Sequence, residues 1–407
     1  MDGEFFICLT QVGVGGGRER VSFHNESGLL IFLQAKITPA RPRMTLQTPQ
    51  TLLGGFAASL TGDDRIEQLR AGLIGEGVEV PGPFGPHKLV YADYVASGRA
   101  LRQVEAFVME NVLPYYANSH TEASFCGAQM TRMRREARSA IARLCGADDC
   151  FATIFAGAGA TTGLNRLVAL LGVPEAVAAA RRVVVFIGPY EHHSNILPWR
   201  ESGAEVIEIP EADCGGPDLV ALASALRKEP AGIMKVGAFS AASNVTGIVT
   251  DTDAVTRILK RHGALAVWDY AGGGPYLPID MRAGSDAEKD AVVLSPHKFI
   301  GGPGASGVLI VRRGAVARQT PVNPGGGTVR FVSPWAHDYA TDVSVREEAG
   351  TPNVIGDIRA GLAFLVKEAI GQDFMDARHE ALRRRALARW SGNPNIQIMG
   401  NPDAARC

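Results

Sequence analysis

At 407 residues the chain exceeds the usual size of one domain, which points to a large core with a smaller second unit. Hydrophobic residues make up 46% and charged residues 20%, a balance typical of globular proteins. Lys plus Arg (41) nearly cancels Asp plus Glu (42), and no basic block is long enough to track a phosphate backbone, which argues against nucleic acid as a partner.

The six cysteines, Cys8, Cys126, Cys145, Cys150, Cys214 and Cys407, form no C-x-x-C pair, which argues against a zinc site or a disulfide framework and favours a reducing, cytoplasmic setting. No segment approaches the run of about 20 apolar residues that spans a bilayer, so no membrane partner is expected.

Residues 1–50 show no sustained period and carry glycines at 13 and 15–17, and the pattern is expected to be a loosely packed or disordered extension. The G-x-G there lacks the preceding strand and following helix that a dinucleotide site needs. From Phe151 the pattern becomes regular. Residues 151–156, 182–187, 205–209, 233–239, 264–268, 291–294 and 307–311 read as strands, most of them continuously apolar. Residues 161–171, 217–229 and 251–263 between them read as helices, the last opening on Asp251, Thr252 and Asp253 and stopping at Gly263. Alternation of this kind predicts a mainly parallel sheet covered by helices on both faces. A helix over 375–390 and the start of a strand over 395–399 follow.

In such sheets ligands bind beyond the carboxyl ends of the strands. The exit at 156–163 (Ala-Gly-Ala-Gly-Ala-Thr-Thr-Gly) is a small-residue loop running into a helix, an anion cradle in which Thr161 and Thr162 add hydroxyl donors. A turn built only for packing would not need the paired threonines. Glu191, His192 and His193 follow the second strand, and Asn244 stands in a turn after the strand at 233–239. Asp269 closes the apolar strand at 264–268, where a carboxylate needs a cationic or protonated partner. Lys298 follows the strand at 291–294 beside Ser295 and His297 and before a glycine-rich turn, a place where an amine is desolvated and its pKa lowered. An anion cradle, a lysine for an aldehyde, an acid for a ring nitrogen and an aromatic face together fit pyridoxal phosphate.

From about residue 89 to 356, and most closely at 191–199 (Glu-His-His-Ser-Asn-Ile-Leu-Pro-Trp), the chain resembles the class V aminotransferase family, which includes cysteine desulfurases and selenocysteine lyases of fold type I. The resemblance implies an α/β fold of the pyridoxal-phosphate-dependent transferase type I, with a mainly parallel central sheet flanked by helices. It also implies an internal imine on Lys298, ring stacking by His192, a ring-nitrogen contact from Asp269 and a ring-hydroxyl contact from Asn244. The phosphate would be held by Ala160, Thr161, Ser295 and His297, and in the neighbouring copy of a homodimer by Thr328. Residues 91–98 and 117–120 are similar to the family's entrance segments, and His120 could approach substrate or cap a helix. Residues 346–353 (Arg-Glu-Glu-Ala-Gly-Thr-Pro-Asn) match a stretch expected to support the site.

The division implied is an extension over 1–50, a helical segment and active-site entrance over 51–150, a cofactor-binding domain over 151–330, and over 331–407 the start of a small C-terminal domain that is incomplete. Two departures stand out: Gly272 occupies the place of a family glutamine, and neither the carboxylate-binding arginine nor a sulfur-accepting cysteine can be assigned. The expected function is a pyridoxal phosphate enzyme acting on a small amino acid through Lys298 and His192, cysteine desulfurase-like. The alternatives are a class V transaminase or a truncated, non-catalytic protein of the same fold.

Overall fold

The computed structural model describes residues 51–119 and 122–407, with two short paired strands at Val21–Phe23 and Ile31–Leu33. The chain divides into two compact units, Met1–Pro49 and Gln50–Cys407.

The second unit is organised by a seven-stranded sheet: β1 (Phe151–Phe155), β2 (Val183–Ile187), β3 (Glu205–Glu208), β4 (Met234–Ser240), β5 (Leu265–Asp269), β6 (Ala291–Leu294) and β7 (Val308–Arg312). Its spatial order is β1-β7-β6-β5-β4-β2-β3. Neighbours pair in parallel except β7, which runs antiparallel to both β6 and β1. All seven strands fall within a residue or two of the runs read from the sequence, and the fold is the expected mainly parallel α/β type. The reversal of β7 brings the residue just before it, Gly307, to the edge where the other strands end. That matters for the site.

Side chains that alternate along each strand feed two apolar layers. Val184 and Phe186 join one core with Trp268, Val292 and Ile310, and Val185 and Ile187 join the other with Val267, Val293 and Leu309. The helices that matter below are α1 (Arg65–Ala71), α2 (Phe125–Leu144), α3 (Ala160–Leu170), α4 (Leu219–Lys228), α5 (Thr252–Arg261), α6 (Val354–Ile370) and α7 (Gln372–Trp390). Asp251 caps α5 by accepting from Ala254 N at 2.9 Å, as its sequence signature requires. Helices α2 and α6 cross where a Cβ on Gly361 would sit 2.7 Å from Ala137 Cβ, so only glycine permits that approach.

Buried charge ties these helices to the sheet. Glu348 takes Arg134 at 2.7 Å and Arg138 at 2.8 Å and also accepts from Phe155 N at 2.8 Å, while Arg134 reaches Asp357 at 2.8 Å. Burial alone would raise the Glu348 pKa, but the charge of Arg138 and then of Arg134 outweighs it and holds the carboxyl below its usual range.

The strand expected at 395–399 is absent: after a turn at 394–395, where Asn393 Oδ1 accepts from Asn395 N at 2.9 Å, residues 396–399 run irregularly. Ile396 and Met399 stand 41% and 67% exposed, and no strand pairs with this segment among the described residues. Instead the last residues run beside the turn after β4, with Val249 N donating to Ala405 O at 2.8 Å and Cys407 N to Gly247 O at 3.0 Å. Among the described residues, no helix is long and apolar enough to cross a membrane.

Candidate active site

Five strand exits and the start of β7 converge on one edge of the sheet. At the β1 exit, Gly157 and Gly159 adopt φ of 67° and 78°, a region side chains avoid. Gly307 pins this loop: Ala156 N donates to Gly307 O at 2.7 Å and Gly307 N to Gly157 O at 2.6 Å. A Cβ on Gly159 would lie 2.9 Å from His297 Cε1 and 3.0 Å from Ser295 Oγ, so the loop is pressed directly against the lysine turn. Ala160 N, the first amide of α3, donates to the buried Ser295 Oγ at 3.0 Å. Unpaired amides and the positive helix end make this an anion cradle. Thr161 Oγ1 donates to Ser194 Oγ at 2.9 Å and so links the first exit to the second.

At the β2 exit, His192 Nδ1 accepts from Ser194 N at 3.2 Å, which leaves the ring proton on Nε2. Burial lowers the His192 pKa first, and the charges of His193 and Lys298 lower it further, so the ring is neutral near pH 7. The two imidazoles pack with centroids 3.8 Å apart.

Glu191, to which the sequence reading gave no role, is the hinge of the region. Its Oε1 accepts from Ser240 N at 2.8 Å and Gly188 N at 3.3 Å, and its Oε2 from Asn195 Nδ2 at 2.6 Å and Ser240 Oγ at 2.7 Å. It therefore clamps the exit of β2 to the end of β4, whose next residue, Ala241, donates to Asp269 O at 2.9 Å. Burial pushes the Glu191 carboxyl up to about 7 against the pull of these bonds, and the Asp269 charge adds to the rise.

Asp269, at the end of β5, is 4% exposed, and its Oδ1 accepts from Ala271 N at 2.7 Å. No other donor reaches this carboxylate among the described residues. Burial raises its pKa, and the Ala271 amide and the Lys298 charge oppose the rise. Asn244 is exposed in the turn after β4 and lies beside Gly272, where an added Cβ would be 3.6 Å from Asn244 Cβ.

After β6 the chain makes a single tight turn, Pro296–Lys298. Burial lowers the Lys298 pKa, opposed by the charges of Asp269 and Asp93. His297 is lowered by burial and then by Lys298. The entrance segment packs onto this turn: Gly98 N donates to His297 O at 3.1 Å, and a Cβ on Gly98 would overlap Phe299 O at 1.9 Å. Asp93 in that segment is the second acid felt by Lys298, and its distance in sequence concealed it.

The structure thus gathers Lys298, Asp269, His192, Ser295, His297, Ala160 and Thr161 at one edge, with Asn244 beside the loop that follows Asp269. Thr328 stands apart from them; it is fully buried and its hydroxyl donates to Gly325 O at 2.6 Å. His120 lies outside the described residues.

The chain is similar to known proteins over most of its length. The aminotransferase class V family model matches residues 90–407. A probable cysteine desulfurase of Streptomyces coelicolor is 30% identical over 319 residues, covering 77% of this chain and 74% of that protein. One from Vibrio cholerae is 30% identical over 326 residues, covering 78% and 76%. Among solved structures, the apo cysteine desulfurase from Thermococcus onnurineus superposes with a TM-score of 0.66 at 25% identity, covering 82% of this chain and 80% of that one. A cysteine desulfurase from Escherichia coli gives 0.62 at 25% identity, covering 77% and 76%.

Proposed function

This chain belongs to the class V aminotransferase family of pyridoxal phosphate-dependent enzymes, and from that premise we propose that it cleaves a carbon–sulfur bond in an amino acid, cysteine desulfurase-like, with Lys298 as its cofactor-bearing lysine. The observation that carries the cofactor assignment is the convergence of Lys298, buried Asp269 and His192, near enough for the charge of Lys298 to act on both, beside an amide cradle; the resemblance to cysteine desulfurases supports the carbon–sulfur chemistry.

The residues present fit the cofactor. Asp269 keeps one carboxylate oxygen without a donor, available to a protonated ring nitrogen. The ring of His192 offers a face for stacking, and Asn244, exposed beside Gly272, would contact the ring hydroxyl. The cradle at Gly159 would be filled by any side chain, as a phosphate pocket requires. Ala160, Thr161, Ser295 and His297 would hold that phosphate, joined by Thr328 of a second copy in a homodimer. Thr328, fully buried within its own chain, would have to come to the surface and release Gly325 O to do so.

When bound, pyridoxal phosphate supplies an electron sink for the pair released at the substrate α-carbon. The lowered pKa of Lys298 keeps a larger share of its amine neutral, which serves both attachment of the aldehyde and proton transfer at that carbon. Asp269 gains a cationic partner that relieves the cost of its burial. Neutral His192 adds no positive charge that would repel the protonated ring.

The test is turnover. With pyridoxal phosphate added, cysteine should yield alanine and sulfide under a reductant, and Lys298→Ala should abolish it. Amino transfer to an oxo acid without sulfide release would make the protein a transaminase, and inertness toward both would refute the reading.

A further inference from the structure

A cavity of about 250 Å³ runs between helices α1 and α7 and has Lys298 in its wall, yet none of the other residues assigned to the cofactor lines it. It is therefore a separate space that meets the proposed site only at the lysine. Leu69, Leu73, Ile300, Ile370, Phe374 and Met375 make most of it apolar. Every charged side chain in the lining is cationic: Arg70, Lys298, Lys367 and Arg378, with His379 beside them and no aspartate or glutamate.

Apart from Lys298, which feels Asp269 and Asp93, these cations have no carboxylate in contact among the described residues. Arg70 and Arg378 are exposed, and neither guanidinium has a partner among the described residues. Lys367 Nζ donates to Gly274 O at 2.7 Å and Leu277 O at 2.5 Å and lies 5.6 Å from the Phe299 ring centre, with no carboxylate in contact. Asp376, whose charge acts on Lys367 and His379, does not line the cavity and accepts from Gln372 Nε2 at 2.7 Å. The more buried lysines elsewhere do have carboxylate partners, Lys260 with Asp290 at 2.6 Å and Lys289 with Asp253 at 3.1 Å, which Lys367 lacks.

An apolar wall rimmed by unpaired cations suits one ligand chemistry. Water already solvates Arg70 and Arg378, so an anion gains here only if an apolar tail also covers the wall, which a hydrated inorganic anion cannot do. The volume is smaller than the roughly 300–1,000 Å³ of drug-sized sites, so the occupant is small. We propose that this cavity binds a short amphipathic carboxylate, its tail against Leu69, Leu73, Ile300 and Phe374 and its charge among Arg70, Lys367 and Arg378. Burial pulls the Lys367 amine down to about 8, and an anion beside it would offset that penalty.

Octanoate is the probe, titrated calorimetrically into the purified full chain, as isolated and again with pyridoxal phosphate added. Octanoate should saturate one site, with 1-octanol and sulfate each binding at least tenfold more weakly. The double variant Arg70→Gln, Arg378→Gln changes only exposed residues, so it should keep its melting temperature while binding octanoate at least tenfold more weakly. Octanol matching octanoate would reduce the cavity to an apolar void, and sulfate matching it would reduce it to a simple anion site. Either result overturns the proposal, as does unchanged octanoate affinity in the variant or the absence of saturable binding. Because binding is also measured on the chain as isolated, failure here leaves the assignment of Lys298 untouched.

Discussion

Replacing Glu191 with Gln keeps the shape of the clamp between β2 and β4 but removes its titration. A rise in the folded state to about 7 from an ordinary 4.5 corresponds to a penalty on ionisation of about 2–3 kcal/mol, allowing for the small part of Glu191 that remains exposed. The sign follows from proton binding. Between pH 4.5 and 7 the folded protein holds this proton and the unfolded chain does not, so stability falls as pH rises through that window. The variant lacks this fall. It carries instead a constant cost of about 1 kcal/mol, because its amide nitrogen faces donors such as Asn195 Nδ2. Urea melts of both proteins at pH 5 and pH 8 measure the outcome: relative to wild type, Glu191→Gln should gain about 2–3 kcal/mol on going to pH 8. The comparison cancels every group that titrates equally in both proteins, Asp357 among them. A difference that is the same at both pH values would show that the carboxylate stays ionised throughout and that its four donors outweigh burial.

Three further outcomes are expected. Glu348→Gln breaks the buried pairs with Arg134 and Arg138 and should cost about 3–5 kcal/mol in urea melts, with most of the loss retained at high salt because the pairs are shielded from it. Gly159→Ala meets both a forbidden φ of 78° and contacts at 2.9 and 3.0 Å, so about 1–3 kcal/mol of strain should appear together with at least a tenfold loss of pyridoxal phosphate affinity by fluorescence titration. At Gly272 an added Cβ meets nothing closer than 3.6 Å, so Gly272→Gln should leave the melting temperature within about 2 °C and shift only the absorption of the bound cofactor.

The strands were legible because both faces of the sheet are covered, which forces unbroken apolar runs such as 183–187. Strand direction was not, since an apolar run carries no arrow, and the reversal of β7 became visible only through its pairing with β1 and β6. At 395–399 a short apolar pattern pairs with no strand among the described residues and stays irregular. Lys298, Asp269 and His192 were legible as residues that follow strands. Glu191 was not: beside two histidines it reads as a solvated acid, and its burial depends on Ser240, 49 positions away. Asp93 was hidden in the same way, and the cationic cavity gathers residues from Arg70 to His379 that no local pattern connects.

The most direct measurement is borohydride reduction of the protein mixed with pyridoxal phosphate, followed by mass spectrometry of its peptides. An imine on Lys298 should give a visible absorption band that disappears on reduction, with the cofactor's mass added at Lys298 and no band in Lys298→Ala. Labelling spread over surface lysines, or a band that survives in Lys298→Ala, would contradict it.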